Sequence, residues 1–245
     1  MHGLSAYELL HVWEVGLSQQ SLDRALTILG IAFPEAPRDA LAALSIGQRD
    51  MRLLVVREKT FGARLPGQAV CPACQGQLEF VLDGAHLRAQ ASNTGPELTE
   101  QVMTIGGYRL HFRLPNSLDL AVIMNCDDVV TARALLTQRC VSHAYQDDVA
   151  ARVEELPEWA ITAVATRMSE LDPQAEIQVE LSCPVCGHHW SVILDIVTFF
   201  WTEICAYAKR LLREVHILAR SYGWREADIL SMSPVRRQLY LEMVI

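Results

Sequence analysis

Apolar residues recur every three or four positions along much of the chain, which is the spacing of amphipathic helices. The first such segment, "SAYELLHVWEVGL", begins at Ser5, and Glu8 stands three residues later in the position of a capping box. The longest runs from about Asp195 to Tyr222, has one apolar stripe about 40 Å long and ends at Gly223. The same spacing predicts helices in "SLDRALTILGIAF", "RDALAALS", "SIGQRDMRLLVVREKTFG", "NSLDLAVIMN", "DDVVTARALLTQRC", "LPEWAITAVATRMSEL", "WREADILSM" and "SPVRRQLYLEMVI".

The predicted helix from Ser45 to Gly62 mixes apolar and charged residues. Its pattern places on one side the apolar residues Met51, Leu54 and Val55. The other side holds most of the charged residues, which are Arg49, Arg52, Arg57 and Glu58. Gly62 is the predicted end of this helix.

Alternation of apolar and polar residues marks the predicted strands. It indicates a strand in "YRLHFRLP", which Pro115 closes, and another in "AEIQVELSC". We expect strands and loops in the passage from Gly84 to Pro96. The same alternation follows two short cysteine motifs, at Leu78, Phe80 and Leu82 and at Trp190, Val192 and Leu194.

The two cysteine motifs are near copies of each other. "AVCPACQGQLEFVLD" carries Cys71 and Cys74, "LSCPVCGHHWSVILD" carries Cys183 and Cys186, and roughly 100 residues lie between the copies. Two residues between the cysteines let one tight turn direct both thiolates at a single metal ion. Because structural zinc takes four ligands in a tetrahedron, the two turns predict one structural zinc per chain, held by two hairpins that form a zinc ribbon.

Two alternatives to a shared zinc exist. Each cysteine pair could hold its own ion, completed by His188, His189 or His86. Four buried cysteines without metal would not explain the proline between the cysteines of both copies, or the matching strands.

A site with four thiolates leaves no open position for water, and the sequence has no other catalytic motif. We therefore expect neither enzymatic activity nor a small-molecule substrate.

Composition and charge narrow the function classes. The hydrophobic fraction of 51% is typical of a globular protein, and no stretch approaches the roughly 18 apolar residues of a membrane span. The N-terminus lacks a secretory signal, so we expect a cytoplasmic location with reduced cysteines and no membrane partner. The net charge of −8 argues against binding to nucleic acid. We interpret the remaining local cations, Lys209, Arg210, Arg213 and Arg220, as a solvated helix face.

These patterns predict a mainly helical α+β fold. It contains a zinc ribbon built from two sequence-distant hairpins, an inserted α/β subdomain and a long C-terminal helix. The predicted segments are an N-terminal helical region at 1–66, the first half of the ribbon at 67–86, an inserted helix-plus-strand subdomain at 87–175, the second half of the ribbon at 176–194 and a C-terminal helical region at 195–245.

Four blocks that span most of the chain carry a family resemblance. "RDMRLLVVREKTFGARLPGQAVCPACQGQLEF", "FRLPNSLDL", "SCPVCGHHWSVILDIVTFFWTEI" and "VHILARSYGWREADILSMSPVRRQLYLEMV" resemble the baseplate hub assembly chaperones of T-even-type phages and of phage-derived contractile injection systems. The resemblance implies a non-enzymatic protein that helps to build a baseplate or its hub in the bacterial cytoplasm and that can enter the phage-like particle. It also implies that a metal supports the fold and is not the function.

An assembly factor needs exposed apolar or aromatic surface to hold a baseplate or hub protein. The C-terminal block supplies candidates, because Trp, Tyr and Arg dominate binding hot spots. We therefore predict partner contacts through Trp224, Arg236, Arg237 and Tyr240, although these residues could instead pack against the long helix. The alternative functions are a zinc-ribbon adaptor or nucleic-acid-binding regulator and, third, a hydrolase with an open zinc site.

Overall fold

The structure is a computed structural model that describes residues 1–89 and 100–244. Its helices are α1 (Ala6–Gly16), α2 (Ser21–Ala32), α3 (Arg38–Ala42), α4 (Ile46–Phe61), α5 (Gly84–Ala89), α6 (Ser117–Ile123), α7 (Val129–Cys140), α8 (Glu158–Leu171), α9 (Ile196–Tyr222), α10 (Glu226–Leu230) and α11 (Pro234–Glu242). Its strands are β1 (Arg64–Val70), β2 (Gln77–Asp83), β3 (Gln101–Ile105), β4 (Tyr108–Phe112), β5 (Val141–Gln146), β6 (Val149–Ala151), β7 (Gln178–Ser182) and β8 (His189–Ile193). The fold is therefore mixed α+β and mainly helical, and every helix predicted from the apolar spacing is present.

The structure also contains elements that the sequence pattern did not predict. Gly84–Ala89 is helical where we expected strands and loops, and the remainder of that passage, residues 90–96, lies outside the described residues. β3 was missed although Gly106 and Gly107 both have positive φ, the conformation of a tight hairpin turn. β5 was missed because its pairing with β4 shifts register at His111/Phe112, so its buried positions do not alternate.

The described chain forms two compact units. Unit 1 comprises residues 1–36, 53–62 and 195–245, and unit 2 comprises residues 37–52 and 63–194. The division falls within α4, after Arg52. Each unit is therefore assembled from segments that are far apart in sequence.

Unit 1 is helical, and α9 is its longest helix. α1, α2, α10 and α11 all pack against α9, which buries Phe200, Ile204 and Leu211 along one side. Asp195 caps the start of α9 by accepting hydrogen bonds from two backbone N–H groups, and Gly223 ends it with a φ of 69°. No helix within the described ranges has the length and apolar composition of a membrane span.

The sequence pattern placed Arg57 on the charged side of α4. The structure instead buries this residue, and only 1% of its surface is exposed. Its guanidinium donates to the two carboxylate oxygens of Glu203 on α9, at 2.8 and 2.5 Å, and to the carbonyl oxygen of Gly62 at 2.7 Å. This bidentate pairing satisfies a charge that would otherwise be costly to bury. Arg49, on the same predicted side, is also buried and pairs with Asp50.

Unit 2 contains a four-stranded antiparallel sheet in the order β3-β4-β5-β6. Leu110 and Phe112 of β4 form a core with Ala160, Val164 and Met168 of α8. All the buried residues of this core lie between Leu110 and Met168. Unit 2 also contains two separate antiparallel hairpins, β1-β2 and β7-β8, and each of them carries one cysteine turn.

A fully buried carboxylate joins α6 to neighbouring segments of unit 2. Asp119 accepts two hydrogen bonds from Arg113, at 2.5 and 2.9 Å, and one from Arg139 of α7 at 3.1 Å. It also accepts from the backbone N–H of Asn116, the residue that caps α6. Burial alone would raise the pKa of Asp119, but the hydrogen bonds and the charge of Arg113 outweigh it and leave the pKa below its usual value.

We expect Glu203→Ala to lower the free energy of unfolding by about 3 kcal/mol, because it leaves the buried Arg57 charge without its partner. Glu14→Ala, at an exposed position of α1 in the same unit, is the control and should change that free energy by less than about 0.5 kcal/mol. Urea denaturation of both variants measures the difference. Equal stability of the two would contradict the importance of the pair.

The depressed pKa of Asp119 predicts a dependence of stability on pH. Because the folded-state pKa lies below the unfolded-state value of about 3.9, the ionised carboxylate stabilises the fold above that pH and ceases to do so as the pH falls through the folded-state pKa. We expect Asp119→Asn to be less stable than the wild type at pH 7, with the difference shrinking in acid. Chemical denaturation across this pH range tests it, and a difference that does not vary with pH would refute it.

Candidate metal centre

The first cysteine turn connects β1 to β2. The register of the hairpin pairs Val70 with Gln77, so residues 71–76 form the turn. Within it, the N–H of Cys71 donates to the carbonyl oxygen of Gly76, and the carbonyl oxygen of Cys71 accepts from Gln75, both at 2.9 Å. Gln75 has a φ of 59°, the left-handed conformation that reverses the chain.

The second cysteine turn repeats this geometry between β7 and β8. Its residues are 183–188, the N–H of Cys183 donates to the carbonyl oxygen of His188, and the carbonyl oxygen of Cys183 accepts from Gly187, again both at 2.9 Å. Gly187 has a φ of 72° at the position that matches Gln75. The sequence repeat is therefore also a structural repeat, in which each backbone turn fixes the position of its two cysteines.

The four sulfur atoms form one cluster. Cys71 Sγ lies 3.7 Å from Cys186 Sγ, Cys74 Sγ lies 3.6 Å from Cys183 Sγ, and all four atoms lie within 4.8 Å of one another. Four thiolates about 2.3 Å from a tetrahedral zinc would be about 3.8 Å apart. The cluster therefore has the size that a single metal ion requires, and its two short contacts both join one hairpin to the other.

The thiols of the second turn influence each other's protonation. The backbone N–H groups of Cys186 and Val185 lower the pKa of Cys183 to about 6. The N–H of His188 acts in the same direction on Cys186, but the neighbouring thiols, Cys74 foremost, raise the pKa of Cys186 to about 12. One thiolate thus opposes formation of the next, and a bound cation would remove this opposition.

No histidine within residues 1–89 and 100–244 joins the cluster. The ring of His188 stacks on Trp190, with centroids 6.0 Å apart, and His86 lies in α5. The structure brings the two cysteine pairs together. The alternative of two separate sites required a histidine at each pair, and none of the described histidines lies in the cluster. Of the remaining cysteines, Cys140 is buried, and burial raises the pKa of its thiol to about 12.

The predicted partner-binding residues all lie in unit 1. Trp224 stacks on Tyr222 with ring centroids 4.4 Å apart and meets Tyr240 edge-on at 4.8 Å. Both Trp224 and Tyr240 are half-buried against a core formed by α9, α10 and α11. Arg236 is exposed and lies over the ring of Tyr240.

Arg237 differs from these three residues because it is buried. It donates to Glu214 of α9 at 3.1 Å, to the carbonyl oxygen of Met232 at 2.7 Å and to the hydroxyl of Tyr207 at 3.3 Å. These bonds attach α11 to α9. The guanidinium is therefore engaged inside unit 1, and its contact is with the long helix, as the alternative in the sequence analysis allowed.

Sequence reasoning missed Val235 and Met243, which lie with Leu239 on the outer side of α11. Val235, Leu239 and Met243 are 70%, 53% and 72% exposed and follow one another at intervals of four residues. This spacing places them on one face. The signal was present in the sequence, but the apolar period alone does not tell which of two faces of a short helix is buried.

Comparison with known families identifies the relatives of this chain. A family model described as T4 bacteriophage base plate protein matches residues 26–201, which include all of unit 2 and both cysteine turns. Trp224, Arg236, Arg237 and Tyr240 lie beyond the matched residues. Comparisons with curated proteins and with solved structures each found no match. Since the family match covers well over half of the chain, this protein belongs to the T4 bacteriophage base plate protein family.

Proposed function

We propose that this protein is a non-enzymatic assembly factor or structural component of a contractile tail baseplate, with the role of a hub assembly chaperone, and that it acts by binding other baseplate or hub proteins. The observation that carries the proposal is the family match over residues 26–201. The cysteine cluster supports a structural role, because four thiolates would fill the coordination shell of a zinc ion and leave no position for a substrate.

In this proposal the protein acts in the bacterial cytoplasm of a phage-infected cell or of a cell that produces a contractile injection system. A reducing cytoplasm keeps the cysteines free of disulfides, so that they can ionise to the thiolates that a metal requires. The baseplate family further supports incorporation of the protein into the assembled particle.

We further propose that the cluster holds one structural zinc and that the two hairpins form a zinc ribbon. Residues 67–86 and 176–194 are then the two halves of the ribbon, residues 87–175 are the insertion between them, and residues 1–66 and 195–245 are the flanking helical regions. The sulfur separations of 3.6 and 3.7 Å support a tetrahedral ion. A shared ion would fix the two ends of the insertion to each other.

We expect purified protein to contain about one zinc per chain and, after exchange, to show the thiolate-to-cobalt absorption of a tetrahedral site. Cys74→Ser and Cys186→Ser should each lower the metal content and the unfolding temperature of unit 2, because each removes one of four ligands. Cys126→Ser, outside the cluster, is the control and should retain the metal. About two ions per chain, or equal metal content in all three variants, would contradict a shared site.

The docking surface in this proposal is the exposed side of the C-terminal helices. Val235, Leu239 and Met243 supply an apolar line, and Arg236 and the ring edge of Tyr240 supply polar and aromatic contacts. Apolar and aromatic side chains surrounded by polar ones are the usual composition of a binding hot spot. Arg237 contributes indirectly, since it holds α11 against α9.

We expect the double variant Val235→Ser with Leu239→Ser to lose co-purification with baseplate proteins of the same particle when they are produced together. The matched control is Val129→Ser with Val130→Ser, two valines of unit 2 that are 82% and 74% exposed. Because all four side chains are exposed, both double variants should keep the wild-type unfolding temperature. Equal capture of baseplate proteins by the two double variants would refute docking through α11.

A further inference from the structure

The outward face of α9 carries a row of basic side chains. Lys209, Arg213, His216 and Arg220 are all exposed and follow one another at intervals of four, three and four residues. This spacing places them in line on one face of the helix, over a length of about 16 Å. The buried residues of α9, such as Ala208 and Leu211, lie on the other side.

The basic residues occupy only the C-terminal half of this helix face. Nearer the N-terminus the same face is exposed but uncharged, at Thr198, Thr202 and Ala206. Of the two acidic residues of α9, Glu203 pairs with Arg57, and Glu214 pairs with Arg237 and with Arg210 of α9 itself. Neither glutamate forms an ion pair with a member of the row.

The three permanent cations of the row have no anionic partner. Among the residues that the structure describes, Lys209, Arg213 and Arg220 form no ion pair, and the ion pair of the neighbouring Arg210 with Glu214 lies outside the row. The row is therefore a local concentration of positive charge on a chain whose net charge is −8. Like charges four residues apart on a helix also repel each other by a few tenths of a kcal/mol per pair, and an anionic surface laid over the row would relieve this repulsion.

Stabilisation of the helix dipole explains only one member of the row. Cations favour the C-terminal turn of a helix, and Arg220 stands in the last turn of α9. Lys209 and Arg213 are two or more turns from the C-terminus, where this effect has decayed. Their position therefore requires another explanation.

We propose that this row is a docking surface for an acidic protein, namely a carboxylate-rich helix or loop of a baseplate component. Leu212, 37% exposed, lies beside Lys209 and His216 and offers an apolar contact that a protein partner can use. A nucleic acid is disfavoured, because the row is a single short line on an acidic chain. This inference rests on the proposed function for the identity of the partner, but it uses residues that do not belong to the α11 surface.

The test compares the wild type with two variants of the full chain. The stripe variant reverses the charge of the basic row by Lys209→Glu/Arg213→Glu/Arg220→Glu. The control makes the same charge change at exposed positions of unit 2, by Arg64→Glu/Arg133→Glu/Arg152→Glu. The probes are a fluorescein-labelled poly-glutamate peptide and a labelled DNA duplex of equal charge, followed by fluorescence anisotropy. We expect the stripe variant to bind the peptide about tenfold more weakly than the wild type and the control, and wild-type binding to weaken with salt.

Two results would overturn the proposal: equal peptide binding by all three forms, or tighter wild-type binding of the duplex than of the peptide. If charge reversal itself unfolds α9, the neutral variant Lys209→Gln/Arg213→Gln/Arg220→Gln replaces it, with the same expected direction. Co-production with baseplate proteins distinguishes the contribution of the basic row on α9 from that of the apolar line on α11. If the stripe variant captures them normally while the Val235→Ser/Leu239→Ser variant does not, this inference fails and the proposed function stands.

Discussion

The contact between two cysteine turns that lie far apart in sequence constrains the rest of unit 2. Cys74 and Cys183 are 109 residues apart along the chain, yet their sulfur atoms are 3.6 Å apart. Closing a loop of this length costs conformational entropy, and the cost must be met by interactions within the loop or by a bound ion at its closure. The four-stranded sheet and α8 supply the first of these contributions, because they bury their own apolar core inside the loop.

The parts of the fold that depend on local chemistry could be predicted from the sequence. The capping box of Ser5 and Glu8 and the Gly223 stop are local signals, and the structure contains both. The cysteine spacing likewise identified the four residues that cluster. The atoms that decide a helix cap, or the turn that holds one cysteine pair, lie within a few residues of one another, so tertiary packing has little opportunity to alter them. The meeting of the two cysteine turns is a long-range contact, and it was predicted only because a structural zinc needs four ligands.

The parts that depend on distant partners could not be predicted. Arg57 and Arg237 have the sequence pattern of surface residues, but each is buried because a glutamate of α9 neutralises it. The register shift opposite β5 depends on the pairing of two strands and leaves no trace in the period of either. Val235 and Met243 of the exposed apolar line on α11 were missed for the same reason, since exposure is decided by what packs on the other face.

The two sulfur atoms contributed by each turn differ in accessibility. Cys71 and Cys183 are buried, whereas Cys74 and Cys186 are exposed. An oxidant or a competing chelator would therefore reach the outer pair first, while the inner pair stays protected by the hairpins. Reversible oxidation would therefore begin at Cys74 and Cys186 and leave the inner pair reduced, and reduction of the outer pair would restore all four ligands of the proposed ion.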